Sequence, residues 1–197
     1  IRDVATSGQF ILGRAVEEFE TTFSKLVGCK QGIGVNSGLD ALILSLKALG
    51  IGPGDEVITA PNSFLASASA IALVGAKPVF VDVTDDFNLD MTQVDESVNS
   101  RTRAVLPVHL TGYPCDMRAL MSIASRKGLK IIEDAAQAVG TLFEDQPVGS
   151  FGDAGCFSLH PLKNLHAWGD GGIIVTRSET LANEMRALRN HGLINSD

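Results

Sequence analysis

Lys163 lies in Phe157-Ser-Leu-His-Pro-Leu-Lys-Asn164, after a strand-like run and a proline turn and before the glycine-rich Gly169-Asp-Gly-Gly172. A lysine attacks only as the neutral amine, so it needs a partly buried, electrostatically tuned site; an isolated lysine is more often a solvated surface residue. Asp134 closes the apolar run Leu129-Lys-Ile-Ile-Glu-Asp134. A carboxylate at the end of such a strand can pair with a protonated pyridine nitrogen and keep the ring an electron sink. It can equally cap the segment Ala135-Ala-Gln137. In Val35-Asn-Ser-Gly-Leu-Asp40 a strand ends, a small turn follows and a helix begins. Ser37 and Asp40 form an S-x-x-D cap, and the free N–H groups of a helix start, approached closely past a glycine, bind phosphate. An ordinary cap is the plainer alternative. Phe64, in Pro61-Asn-Ser-Phe64, follows another strand and can stack on a planar ring or serve as a core aromatic.

None of the four is specific alone. Together they offer a phosphate cup, a stacking face, a partner for a pyridine nitrogen and an amine. That set complements pyridoxal 5'-phosphate (PLP), with Lys163 holding it as a Schiff base.

These residues meet only if the intervening elements bring strand ends to one edge. The patterning predicts this. Helices are expected over 14–27, with Phe19, Phe23 and Leu26 on one face, and over 37–49, 65–74, 92–98, 116–127 and 178–189. Strands are expected over 31–35, 56–60, 78–83, 103–108, 129–133, 154–158 and 172–176. Strand–helix alternation with short turns predicts an α/β fold with a mostly parallel sheet flanked by helices on both faces. Ligands of such sheets sit beyond the carboxyl ends of the strands, where all four candidates fall.

Bulk properties bound the rest. The chain has 197 residues, a formal net charge of -7, 45% hydrophobic and 20% charged residues. An acidic chain is a poor partner for nucleic acid. Three widely spaced cysteines, Cys29, Cys115 and Cys156, suggest neither a disulfide framework nor a metal site and fit a reducing cytoplasm. No apolar run is long enough to span a membrane. There is no initiator Met, no signal-peptide pattern and no stop-like tail after His191, so both ends look cut.

The sequence resembles the DegT/DnrJ/StrS sugar aminotransferases, fold-type I PLP enzymes. The resemblance rests on Ser37-Gly-Leu-Asp-Ala-Leu42, Gly50-Ile-Gly-Pro-Gly-Asp-Glu-Val57, Gly75-Ala-Lys-Pro-Val79, His109-Leu-Thr-Gly112, Glu133-Asp-Ala-Ala-Gln137, the Lys163 segment and Gly171-Gly172, in the family's order. It implies an aspartate aminotransferase-like large domain, with Lys163 as the catalytic, cofactor-bearing lysine and Asp134 on the pyridine nitrogen. Gln137 would lie near the ring's 3-oxygen and Phe64 would stack on the ring. Ser37, Gly38, Leu39 and Ser158 would form the phosphate cup. Leu39 departs from the family, which often has Thr there, so a hydroxyl contact is lost while the N–H remains. His160 would assist proton transfer or shape the turn. His109, His166 and Trp168 are given no catalytic role, and packing is the default for Trp168.

The implied reaction moves an amino group from an amino acid, glutamate by resemblance, to a keto sugar of a nucleotide-sugar. The implied working unit is a homodimer. Alternatives are a PLP-dependent sugar dehydratase, some of which carry His in place of the lysine, and a non-catalytic PLP-binding or regulatory fragment. The expected organisation is one PLP-binding large domain over 1–197, truncated, with the family's small carboxyl-terminal domain absent.

Overall fold

The computed structural model describes residues 1–193; the last part of the tail read above, 194–197, lies outside the described residues. In chain order the elements are α1 (Arg2–Ser7), α2 (Arg14–Val27), β1 (Gln31–Val35), α3 (Gly38–Ala48), β2 (Glu56–Thr59), α4 (Ala66–Leu73), β3 (Lys77–Phe80), α5 (Met91–Ser97), β4 (Thr102–Leu106), α6 (Met117–Lys127), β5 (Lys130–Asp134), β6 (Leu142–Phe143), β7 (Gln146–Pro147), β8 (Ala154–Ser158), β9 (Gly172–Thr176) and α7 (Glu179–Arg189). A 3₁₀ turn spans Leu110–Gly112.

Side-chain oxygens start four helices. Ser37, Asp90, Asp116 and Ser178 accept N–H groups of the first turns of α3, α5, α6 and α7. Gly28 and Gly128 stop α2 and α6 in the left-handed conformation.

Seven strands form one sheet in the order β1-β9-β8-β5-β4-β2-β3. All are parallel except β9, which runs against both neighbours. The reversal has a local cause. The link from β8 to β9 contains no helix to carry the chain back across the sheet. Both faces are covered, so β8 and β9 are buried at every residue. Successive side chains serve opposite layers: Ile174 packs with Leu42 and Leu46 of α3, while Ile173 and Val175 pack with Phe23 and Val27 of α2. Val105 joins the layer of α5 and α6. Among the described residues no helix is long and apolar enough to cross a membrane.

Several features differ from expectation. Leu26 is 57% exposed, and the buried face of α2 is instead Phe23, Ser24 and Val27. That face is turned by Glu20, whose Oε1 accepts the Gly34 N–H of edge strand β1 at 2.7 Å and binds Arg189. A polar anchor has outweighed a leucine. Strand β4 ends at Leu106 rather than at 108, because Pro107 has no N–H for the ladder; pairing resumes as a bridge between Val108 and Asp134. Strand β3 ends at Phe80 rather than at 83. Helix α1 and the small β6–β7 hairpin were not anticipated.

Glu56 clamps the amino edge of the sheet. Its carboxylate accepts from Asn99 Nδ2 at 2.8 Å and Arg101 Nη2 at 2.8 Å, and pairs with Lys77 Nζ at 3.4 Å. The Asn99 and Arg101 hydrogen bonds hold its pKa below the ordinary 4.5. A carboxyl whose folded value is depressed stabilises fully above 4.5 and loses that contribution as pH falls through the folded value. Glu56→Gln is therefore expected to lower the Tm at neutral pH, with the gap closing in acid. Equal melting temperatures at pH 7 would remove the clamp.

Candidate active site

The parallel strands deliver their following residues to one edge, around a cavity of about 470 Å³. Its wall contains every residue given a catalytic, auxiliary or cofactor-binding role in the sequence: Ser37, Gly38, Leu39, Phe64, Asp134, Gln137, Ser158, His160 and Lys163. Val108, Ala136, Ser63 and Asp170 are among the others that line it. A larger hollow of about 550 Å³ lies among Lys130, Asp153, Arg177 and Glu184. It brings together no comparable set, and Lys130 is committed to Asp153 at 3.0 Å.

One end of the cavity is the start of α3. Ser37 Oγ accepts the Asp40 N–H at 3.0 Å, and Ser37 O accepts the Ala41 N–H. The N–H groups of Gly38 and Leu39 precede the helix's own bonding and have no intrahelical acceptor. The Leu39 side chain packs onto the core, so this residue offers its backbone alone. Ser158 Oγ accepts the His160 N–H at 3.3 Å, which leaves its hydrogen free to donate.

The close approach of strand and helix requires glycine. A Cβ at Gly38 would stand 2.7 Å from Ser158 Cβ, and one at Gly172 would stand 2.3 Å from Ser37 O. Gly38→Ala should therefore push Ser158 out of the cup. We expect phosphate-ligand affinity to fall by about tenfold or more, with about 1–3 kcal/mol of overpacking cost. A PLP titration and a thermal melt check this, and unchanged affinity would show that the cup is not formed there.

The opposite end is built on Asp134, which is 5% exposed. Its Oδ2 accepts from Ser67 Oγ at 2.7 Å and its Oδ1 from the Ala136 N–H at 3.2 Å. Burial pushes its carboxyl pKa up, while the Ser67 and Ala136 donors pull it down. Ser67 was missed because a serine in Ala66-Ser-Ala-Ser-Ala70 has no pattern that marks it. Gln137 Oε1 accepts the Thr111 N–H at 2.8 Å, so its amide Nε2 is the group left to face the cavity. Phe64 is 73% exposed and forms the outer wall.

Between the two ends lies half-buried Lys163. Its N–H donates to His160 O at 2.8 Å, and His160 Nδ1 accepts the Leu162 N–H at 3.2 Å. His160 thus organises the turn that aims the lysine. His109 is fully buried behind the site, bonded to Glu133 Oε2 at 3.1 Å and to the Cys115 N–H at 3.1 Å. Trp168 is 91% exposed and does not pack within the described residues, contrary to the default given it above.

These residues fit PLP. The α3 start and two hydroxyls suit a phosphate, and the glycine cradle lets it approach. A buried carboxylate held by two donors suits a cationic ring N–H. Phe64 and Val108 offer flanking surface, and an amine stands between the two ends.

Comparisons with known proteins agree. The chain is 48% identical over 193 residues to a UDP-N-acetyl-3-dehydro-alpha-D-glucosamine 3-aminotransferase of Acidithiobacillus ferrooxidans, covering 98% of this chain and 52% of the relative. It is 47% identical over 191 residues to a pleiotropic regulatory protein of Geobacillus stearothermophilus, covering 96% and 51%. The crystal structure of DesV from S. venezuelae, in complex with a ketimine intermediate, superposes with a TM-score of 0.96 at 45% identity, covering 99% of this chain and 53% of that one. The chain spans about half the length of the curated relatives it matches. Solved structural relatives include PLP and pyridoxamine phosphate forms, as expected of a PLP-dependent family. The family model matches residues 1–197, and the chain belongs to the DegT/DnrJ/EryC1/StrS aminotransferase family.

Proposed function

We propose that residues 1–197 form the PLP-binding large domain of an aminotransferase that moves an amino group from an amino acid, glutamate first, to the keto group of a nucleotide-linked sugar. One observation carries the reading: an amine, a buried carboxylate and a helix start bracket the same cavity. PLP supplies a reactive aldehyde and a ring that accepts electron density from the reacting carbon. The chain's own residues do the remainder. Ser37, Ser158 and the N–H groups of Gly38 and Leu39 bind the phosphate. Asp134 would keep the ring nitrogen protonated, Gln137 Nε2 would donate to the 3-oxygen, and Phe64 would cover one ring face. Lys163 Nζ would be the amine that holds the cofactor and, when a substrate amine takes that place, the base that would move the proton at the substrate's reacting carbon.

The reading extends to a cytoplasmic homodimer. Phe64, Leu65, Leu162 and Trp168, on turns flanking the cavity, are 73, 71, 88 and 91% exposed, apolar surface that a second copy can cover. Sedimentation reads the assembly directly, and a monomer at working concentration would remove that part.

Two half-reactions that share one cofactor predict ping-pong kinetics. Glutamate added to the PLP-loaded protein should convert the cofactor absorption to that of the pyridoxamine form. A keto-sugar nucleotide should then reverse the change and leave with nitrogen on the sugar. A nitrogen-free deoxy product would instead establish the dehydratase. No spectral response to any amino acid, despite bound PLP, would favour a regulatory role.

A further inference from the structure

Ser67 stands at the start of α4, and its side chain is sealed from solvent at 1% exposure. A buried hydroxyl must find partners. Ser67 Oγ lies 2.7 Å from Asp134 Oδ2. An ionised carboxylate can only accept, so the serine donates. The alternative acceptor, Phe64 O, is 3.5 Å away, too far to compete. On its other side Ser67 Oγ is 2.9 Å from Ser63 Oγ. With the Ser67 hydrogen committed to Asp134, Ser63 must be the donor there. Ser63 itself lines the cavity. Two hydroxyls in series therefore run from the cavity wall to the carboxylate, each polarising the next.

The same segment carries Phe64, and the Ser67 N–H donates back to Phe64 O at 3.3 Å. We infer that Ser67 is a positioning residue that fixes the Asp134 carboxylate and ties it to the turn bearing Phe64. The charge that meets the ring nitrogen and the aromatic that covers the ring are then set by one hydrogen-bonded unit. Apart from Ser67, only the Ala136 N–H, at 3.2 Å, holds the Asp134 side chain among the described residues. Loss of the serine hydroxyl would leave the carboxylate held by the Ala136 N–H alone. The inference rests on the PLP reading above.

Two ligands separate positioning from mere packing: PLP, and its analogue with C–H in place of the ring nitrogen. The analogue keeps the phosphate, the aldehyde and the ring shape but cannot use Asp134. Equilibrium titration of the purified protein should show Ser67→Ala weakening PLP by about tenfold while changing the analogue little. Ser63→Ala, which leaves Ser67 in place, should weaken PLP in the same direction by less. In an Asp134→Asn background, Ser67→Ala should have no further effect on PLP. Equal weakening of both ligands by Ser67→Ala, or an undiminished effect in the Asp134→Asn background, would overturn the inference and leave the serine a packing residue. A parent protein that binds neither ligand would instead sink the PLP reading itself, and this inference with it.

Discussion

Lys163→Ala should leave a folded protein that still takes up PLP but no longer holds it covalently. The lysine is half-buried on a turn, and among the described residues its amine makes no hydrogen bond or ion pair. Its backbone N–H to His160 O survives the substitution. Stability should therefore stay within about 0.5 kcal/mol of the parent. The phosphate cup and Asp134 also remain, so binding continues without the bond. Borohydride reduction followed by mass spectrometry should place a pyridoxyl group on the Lys163 peptide of the parent and on no peptide of the variant. Turnover should drop on the order of 10⁴-fold, since attachment and proton transfer at the substrate carbon are lost together. A label on another lysine of the parent, or turnover retained by the variant, would mean that the turn after β8 has been misread.

The site was legible where chemistry follows a strand, and hidden where it depends on a distant partner. Asp134 ends a short apolar run and Ser37 caps a helix, so local signals mark both, whereas Ser158 comes only with the family resemblance. The layout of the sheet then had little freedom, because strand–helix alternation leaves parallel strands as the economical route. The exception, β9, was also written locally, in a link without helical periodicity. Ser67 and Glu20 could not be found this way. Ser67 earns its role from a carboxylate 67 residues later. Glu20 is drawn into a helix's inner face by Gly34 and by Arg189, 169 residues away. Side chains whose partners are remote in sequence carry no periodic signal, and Leu26 was assigned to the inner face for want of that information.

Asp134→Asn should make the PLP-free protein more stable and the catalyst far worse. Burial raises the Asp134 pKa above the ordinary 3.8, against the opposing pull of Ser67, Ala136, His109 and Lys163. The folded state therefore binds this proton more tightly than the unfolded chain does. Stability falls as pH rises from 3.8 through the folded value, and the full penalty remains above it. Asparagine, near in size and uncharged, escapes the penalty. The variant should melt higher than the parent at neutral pH without PLP, and the difference should shrink below about pH 4. Adding PLP should reverse the order. Only the carboxylate brings a negative charge to a cationic ring N–H, and each pKa unit that it lends the ring nitrogen is worth about 1.4 kcal/mol. Turnover should fall on the order of 10²–10³-fold, the usual loss when a preorganised electrostatic partner is removed. Melting curves across pH, with and without PLP, read both effects in one protein pair. A parent that melts above the variant without PLP at neutral pH would show that the buried carboxylate is not under strain. A variant with full turnover would show that ring protonation does not depend on Asp134. The two results together would leave the residue a cap of the segment Ala135-Ala-Gln137, the other role its sequence position allowed.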